Sequence, residues 1–180
     1  FLDEEAAGAD ALYILGDLFE AWIGDDHDER VAHDTARRLK ALVDSGTPVY
    51  FMHGNRDFML AARYAARCGM TLLADPARID LYGTPTLLMH GDTLCTDDTA
   101  YQAFRRRVRH PLTRALLRRL PFSLRQRLAR QARAGSESAK AGKRAEIMDV
   151  NGAEVVRVLR EQQVCRLIHG HTHRPARHLH

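Results

Sequence analysis

Three histidines stand at alternate positions in the string LIHGHTHRP, which spans residues 167–175. An imidazole ring can bind a transition metal or act as a general base at neutral pH. His169, His171 and His173 could therefore belong to a metal site, supply a catalytic base, or stand in a polar loop without a chemical role. The positions of other polar residues along the chain help to decide between these alternatives.

Polar side chains of related types follow three other apolar runs in the same manner. LYILGD, YFMHGNRD and LLMHGD each end in polar residues beside a glycine, which are Asp17, then Asn55, Arg56 and Asp57, then His90 and Asp92. In α/β sheets, ligands collect outside the carboxyl ends of the strands. Four strand ends that carry Asp, Asn, His and His-x-His therefore predict one set of ligands, which makes the polar-loop interpretation of His171 and His173 unattractive.

The residue types in this set indicate the kind of metal. No thiolate belongs to it: Cys68, Cys95 and Cys165 are far apart and form no CxxC, which predicts reduced thiols and excludes a cysteine-rich zinc site. Carboxylate, amide and imidazole ligands suit Mn²⁺, Fe or Zn²⁺ in an open catalytic site. Since a carboxylate can bridge two cations, the set suits a two-metal centre for phosphoryl chemistry, in which Arg56 would neutralise phosphate charge.

The strands and helices predicted around these residues indicate an α/β protein. Strands are predicted at 11–15, 48–54 and 164–170, a hairpin at 78–92 with its turn at Gly83–Thr84–Pro85, and helices at 29–45 and 58–68. Residues 98–163 are predicted to be helical, with breaks at Pro111, Pro121, around Gly135–Ser136 and at Gly142. The order predicts a core of residues 1–97 and 164–180 that is interrupted by a helical insertion over 98–163.

Charge is concentrated in that insertion. Residues 101–145 contain 14 Lys or Arg and one acid, Glu137, so this segment carries +13, and the rest of the chain carries −9 at a total of +4. Its apolar residues recur at helical spacing: Leu112, Leu116, Leu117, Leu120, Phe122, Leu124 and Leu128. A cationic face beside an apolar face is typical of helices on an anionic membrane surface, and it also suits a cap over acyl chains.

Two alternatives for this segment stay open. It could be a solvated helix face, since arginine is a good helix former, or it could bind nucleic acid. Stacking on bases would call for aromatic residues, of which the stretch RRRVRHPLTRALLRRLPFSLRQRLARQAR has only Phe122. We therefore favour an acyl-lipid cap with peripheral membrane contact and expect no nucleic-acid partner.

The order of GD, GNRD, HGD and GHTH resembles the motifs of the calcineurin-like metallophosphoesterase superfamily. The longer strings ALYILGDLFEAWIGDD, HGNRDFML, LLMHGDTLCTDDTAYQAFR, IMDVN and LIHGHTHRPA are similar to the UDP-2,3-diacylglucosamine diphosphatase family, over essentially the whole chain. The resemblance implies an αββα sandwich with a helical cap. It also implies a Mn²⁺-dependent enzyme of lipid A biosynthesis, which cleaves the pyrophosphate of this nucleotide-sugar glycolipid to UMP and 2,3-diacylglucosamine 1-phosphate, with attack of an activated water at the α-phosphorus. The implied location is the cytoplasmic face of the bacterial inner membrane, with peripheral attachment.

The resemblance also implies roles for individual residues. Asp17 would bridge two metals, Asn55, His90 and His171 would complete the ligands of one metal, and His173 would bind the other. The implied catalytic residues are Asp17, Asn55, Arg56 and His90. The implied substrate contacts are Asn55, Arg56, Asp98, Ser136, Lys140, Lys143 and His171.

The sequence departs from the superfamily pattern in one respect. No D-x-H precedes Asp17, so that the second metal would keep only Asp17 and His173, and the family's last strands are not found before His180. We therefore expect the sequence to be an internal portion of the full enzyme, with weak occupancy of the depleted metal position. No oligomeric state or acyl-chain length is predicted.

Other polar residues near the motifs are expected to be structural. His53 and His169, each followed by glycine, are predicted to be hydrogen-bonded core histidines, and Trp22 and Phe19 to be core or wall residues. Asp57 and Asp92 are predicted to shape loops or orient ligands. Two competing functions remain: a generic metallophosphoesterase that acts on nucleotides or nucleic acid, and a basic RNA-binding protein whose histidines are incidental.

Overall fold

The computed structural model describes residue 6 and residues 8–26, 29–141 and 149–179, with the side chains of residues 137–141 outside the described part. The chain divides into two compact units, Phe1–Ala74 and Asp75–His180. Each unit contains one three-stranded sheet and its own helices.

The sheet of the first unit is parallel throughout. Its strands are β1 (Leu12–Ile14), β2 (Val49–Met52) and β3 (Thr71–Leu73), in that spatial order. Leu12 pairs with Val49, and Tyr50 pairs with Thr71. Because parallel strands run in one direction, the loops that follow β1 and β2 leave the sheet at the same edge. These are the loops that carry Asp17 and Asn55–Asp57.

In the described part of the first unit, two helices accompany the sheet, α1 (Arg30–Asp44) and α2 (Ala62–Cys68). The buried residues of α1 are Ala32, Ala36, Leu39 and Leu42, whose spacing of three and four places them on one face of the helix. Asp25 serves the start of α2, because its carboxylate accepts hydrogen bonds from the backbone N–H groups of Ala61 and Tyr64, each at 2.9 Å. The predicted core position of Trp22 is confirmed: it is 2% exposed and packs against Phe19 and Tyr64.

The second unit is built on a mixed sheet of β4 (Ala77–Leu81), β5 (Thr84–Met89) and β6 (Arg166–His169). The pairing of Leu81 with Thr84 leaves a two-residue turn, Tyr82–Gly83, in which both residues have positive φ, as a type I′ hairpin turn requires. Strand β6 is parallel to β5, with His169 opposite Met89. The residues that follow these two strands, which begin with His90 and Gly170, therefore meet at one edge.

Among its described residues, the second unit has four helices: α3 (Thr99–Arg109), α4 (Pro111–Arg119), α5 (Phe122–Ala141) and α6 (Gly152–Glu161). Val155 and Val158 of α6 pack against Leu87, Met89 and Leu94 in a buried apolar cluster. Asn151 begins α6 by accepting hydrogen bonds from the N–H groups of Ala153 and Glu154, and its own N–H donates to the carbonyl of Leu94 at 2.9 Å.

Most of the predicted elements are present, and the α/β class is confirmed. Strand β3 was not predicted, because TLL is too short to show a period. The hairpin turn lies at Tyr82–Gly83 and not at residues 83–85. The predicted break around Gly135–Ser136 is wrong, since α5 continues through both residues, and the break at Gly142 falls outside the described residues. The insertion limits 98 and 163 stay predictions. Within the described part of the chain, no helix has the length and apolar character needed to cross a membrane.

Candidate metal centre

Asp17 follows β1 after a sharp exit from the strand. Gly16 and Asp17 both have positive φ, of 84° and 56°, a conformation that is uncommon for an aspartate and is found at sites where the surrounding structure enforces it. The side chain of Asp17 is 10% exposed. One carboxylate is thus held at the edge of the sheet in a nearly buried position.

Arg56 lies against this carboxylate from the next strand. Its backbone N–H donates to Oδ1 of Asp17 at 3.0 Å, and its guanidinium Nε lies 3.6 Å from Oδ2 of the same residue. The guanidinium also donates to Glu20 at 2.7 Å and remains 29% exposed. The first unit therefore places an accessible cation beside the carboxylate that was predicted to bridge two metals.

Asp57 connects the loop that follows β1 to the loop that follows β2. This carboxylate is fully buried and accepts hydrogen bonds from the N–H groups of Leu18, at 2.8 Å, and of Gly54, at 2.7 Å. Burial raises the pKa of Asp57, and the charge of Asp17 adds to this effect, while the backbone donors oppose it. The prediction that Asp57 shapes the loops is confirmed.

His90 and His171 meet in the second unit. His90 follows β5 and is fully buried, whereas His171 follows β6 and is half-buried. Their ring centroids are 5.0 Å apart with the planes inclined at 69°, and a ring nitrogen of each lies within 4.8 Å of the other. His171 has a φ of 71°, so this loop too turns through the left-handed region. The structure thus brings together two of the predicted metal ligands from one unit.

Asp92 lies two residues beyond His90 and anchors α3. It is fully buried, and its Oδ2 accepts hydrogen bonds from the Tyr101 hydroxyl (2.8 Å), Arg105 Nε (2.7 Å) and Arg109 Nη2 (3.1 Å). Burial acts to raise the pKa of Asp92, but the cations of Arg109 and Arg105 outweigh it and the pKa is lowered. Asp92 is therefore a structural carboxylate that orients α3 toward the His90 loop.

Tyr101, Arg105 and Arg109 were not predicted to belong to the site. Their spacing of four residues along one helix was visible in the sequence and places them on one face of α3. The side chains of Arg105 and Arg109 are only 18% and 17% exposed. Two cations of the basic segment therefore pair with a buried acid and do not contribute to a cationic surface.

Other predicted site residues occupy varied positions. Asp98 begins α3 and accepts a hydrogen bond from the Tyr101 N–H at 3.0 Å, and Ser136 is exposed on α5. His173 is exposed with a φ of 54°, and in the described part of the chain it joins no group of potential metal ligands. The side chain of Lys140 and all of Lys143 lie outside the described residues.

The two histidines that were expected in the core are only half-buried. His53 has its Nε2 2.7 Å from the carbonyl oxygen of Leu60, and His169 has its Nδ1 3.0 Å from that of Gly170. Both rings stand at strand ends that open toward loops, which explains why they are not fully enclosed. Their interpretation as hydrogen-bonded residues is confirmed, and their full burial is not.

The donor set fits a divalent metal. Two converging imidazoles, one of them fully buried, offer nitrogen ligands of the kind that Mn²⁺, Fe and Zn²⁺ accept. Buried acids stand nearby: the His90 N–H donates to Asp75 at 3.4 Å, and burial, together with the charge of Asp92, raises the pKa of Asp75. The fit to a metal therefore rests on the two imidazoles, since Asp92 is paired with Arg105 and Arg109.

Comparisons with known proteins agree with this chemistry. Residues 2–175 match the calcineurin-like phosphoesterase family. The chain is 57% identical over 178 residues to a UDP-2,3-diacylglucosamine hydrolase of Enterobacter sp. (strain 638), covering 99% of this chain and 74% of that protein. It is 55% identical, with the same coverage, to the protein of this name from Escherichia coli O127:H6, and 54% identical to that of Salmonella arizonae.

Proposed function

The chain belongs to the calcineurin-like phosphoesterase family and is a hydrolase, and from this premise we propose that it cleaves the pyrophosphate of UDP-2,3-diacylglucosamine to UMP and 2,3-diacylglucosamine 1-phosphate. The observation that carries this proposal is the convergence of His90 and His171 at the carboxyl ends of β5 and β6. The substrate is supported by relatives that are 54–57% identical and are named UDP-2,3-diacylglucosamine hydrolase.

We propose that Asp17, Asn55, His90, His171 and His173 are the metal ligands and that the metal is Mn²⁺. A divalent cation bound by such residues would activate a water molecule and withdraw charge from the phosphoryl oxygens. The exit of Asp17 from β1 fixes its carboxylate at the sheet edge through the N–H of Arg56. His90, buried and hydrogen-bonded through its backbone, offers a fixed imidazole, while the half-buried His171 is the more accessible of the two.

Arg56 is proposed to bind the pyrophosphate. Its guanidinium is partly exposed, and Glu20 and Asp17 hold it in place before substrate arrives. A preorganised guanidinium stabilises the charge that develops on a phosphoryl group without further reorganisation. Asn55, Asp98, Ser136, Lys140, Lys143 and His171 are proposed as further substrate contacts.

The helices α3–α5 are proposed to cover the acyl chains and to contact the cytoplasmic face of the inner membrane. Exposed apolar residues support this: Leu112 and Leu116 are 75% and 61% exposed, and Phe104 is 48% exposed. They share these helices with exposed arginines, such as Arg118 and Arg119. Apolar and cationic groups on one surface suit an acylated or anionic lipid partner.

The experiment is a substrate panel with the purified full-length protein in the presence of Mn²⁺. We expect release of UMP from UDP-2,3-diacylglucosamine and little release from UDP-N-acetylglucosamine or from simple nucleotides, since the acyl chains would contribute binding energy. Release from the non-acylated compounds alone would favour a generic metallophosphoesterase. Elemental analysis in parallel separates both enzymes from an RNA-binding protein, which would contain no metal and would bind RNA with steep salt dependence.

Lys140, which lies within α5, and Lys143 can be tested in the same assay. If Lys140 and Lys143 hold the diphosphate, alanine substitution of either one reduces UMP release while metal content stays at the wild-type level. Loss of metal from these variants would contradict the proposed contact with substrate and would place the lysines in the support of the metal site.

A further inference from the structure

The ring of Tyr101 lies over the imidazole of His171. The ring centroids are 6.0 Å apart and the planes are inclined at 29°, which is a stacked arrangement. His171 stands in a loop with left-handed backbone, beyond the end of β6, where no strand pairing holds it. A flat, rigid neighbour at this position restricts the rotation of the imidazole ring.

Tyr101 itself is fixed by two hydrogen bonds, and its neighbour Gln102 adds a third. Its hydroxyl donates to Asp92 at 2.8 Å, its N–H donates to Asp98 at 3.0 Å, and the adjacent Gln102 side chain donates to the carbonyl of Asp92 at 2.7 Å. Asp92 is held in turn by Arg105 and Arg109. The first turns of α3 are therefore joined to the loop that begins with His90.

This arrangement links the two histidines through one carboxylate. Asp92 lies two residues after His90 in the chain, and it accepts a hydrogen bond from Tyr101, the residue that stacks on His171. A change in the orientation of α3 would move the Tyr101 ring and thereby the preferred plane of the His171 imidazole. We propose that Tyr101 is a positioning residue for His171, and that the carboxylate of Asp92 sets the position of Tyr101.

This inference rests on the proposed function only where it concerns metal binding, because the restriction of the His171 ring exists without metal. Residues that orient metal-ligating histidines typically contribute a factor of about 10–100 in metal affinity. The stacked ring of Tyr101 would help to orient the His171 imidazole. This positioning role gives the string DTAYQAFR a function that is independent of surface charge.

The test compares three variants of the protein. Tyr101→Leu removes the ring, Tyr101→Phe keeps the ring and removes the hydroxyl, and Tyr82→Leu is the matched control on the exposed hairpin turn, where the tyrosine is 82% exposed. Mn²⁺ binding is followed by electron paramagnetic resonance of the free ion. We expect affinity about tenfold weaker in Tyr101→Leu, a smaller loss in Tyr101→Phe, and wild-type affinity in Tyr82→Leu.

A second measurement uses the metal-free protein, so that failure of the inference and failure of the proposed function are distinguished. Nitrogen-15 spectra of the histidine rings should show the His171 signal shifted or broadened in Tyr101→Leu, and to a smaller extent in Tyr101→Phe, which has lost the hydrogen bond to Asp92. An unchanged His171 signal in a folded Tyr101→Leu variant would overturn the positioning role. Absence of Mn²⁺ binding by the wild-type protein would overturn the proposed metal centre and leave the ring measurement to decide the role of Tyr101.

Discussion

Gly54 lies directly against Asp17. A Cβ atom added to Gly54 would overlap the Asp17 carboxylate, with the Cγ atom of Asp17 only 3.0 Å from the added carbon. The glycine of GNRD therefore gives the neighbouring carboxylate its space, and the two loops at this edge of the first sheet fit together only without a side chain at position 54.

Gly54→Ala is expected to disturb the position of Asp17. Forcing a methyl group into this contact displaces the carboxylate or the loop backbone and costs about 1–3 kcal/mol in the free energy of unfolding. Mn²⁺ affinity, measured by isothermal titration calorimetry, should fall together with stability. Wild-type affinity in this variant would show that Asp17 has room to move, or that it does not bind metal.

The same substitution at Gly135 should have the opposite effect. Gly135 lies within α5, and an added Cβ atom would have no other atom within 4 Å. Because glycine is unfavourable in the middle of a helix, Gly135→Ala should raise the free energy of unfolding by about 0.5–1 kcal/mol. Chemical denaturation followed by circular dichroism measures this gain, and a loss would mean that α5 is interrupted at this residue.

Arg56→Ala should reduce turnover without loss of metal. The guanidinium is partly exposed beside Asp17, so its removal takes away a donor to the phosphoryl group, and losses of this kind are about 10²-fold in kcat. Arg37→Ala is the control, since Arg37 is an exposed arginine of α1 that pairs only weakly with Asp34 at the surface. A parallel fall in metal content of Arg56→Ala would instead assign the arginine to the support of Asp17.

Asn151 is expected to stabilise α6 and the Asp97 loop together. Its side-chain oxygen begins the helix, and its Nδ2 donates to Asp97 at 3.0 Å. Asn151→Ala should lower the free energy of unfolding by about 1 kcal/mol or somewhat more. Asn151→Ser keeps a helix-starting side chain but loses the contact with Asp97, so thermal denaturation of both variants separates the two contributions.

The three cysteines should differ in reactivity. Cys68 and Cys95 are buried, and burial raises their pKa values to about 11 and about 12, whereas Cys165 is exposed. Since the thiolate is the nucleophile, the two buried thiols remain protonated and shielded at pH 8. A disulfide reagent should titrate one thiol in the native protein and three after unfolding. Rapid reaction of a second thiol would show that one of the two buried positions opens in solution.

The local pattern of apolar and polar residues was sufficient to predict the strand ends and most of the helices. Apolar runs that stop at glycine and a polar residue predicted β1, β2, β5 and β6, because a buried strand needs continuous apolar side chains and a loop needs polar ones. The same strings carry the motifs that resemble the phosphoesterases. Helix breaks at Pro111 and Pro121 followed from proline chemistry, whereas the glycine at position 135 was tolerated within α5.

The sequence by itself therefore determined the fold class, the family and the types of residue available for metal and phosphate chemistry. Only the tertiary structure decided which of them meet: that His90 and His171 face each other, that Tyr101 stacks on His171, and that Arg105 and Arg109 pair with Asp92 instead of lying on the surface. The physical reason is that hydrophobic periodicity reports the burial of neighbours along the chain. The partner of a buried charge is chosen by the packing of segments that are distant in sequence.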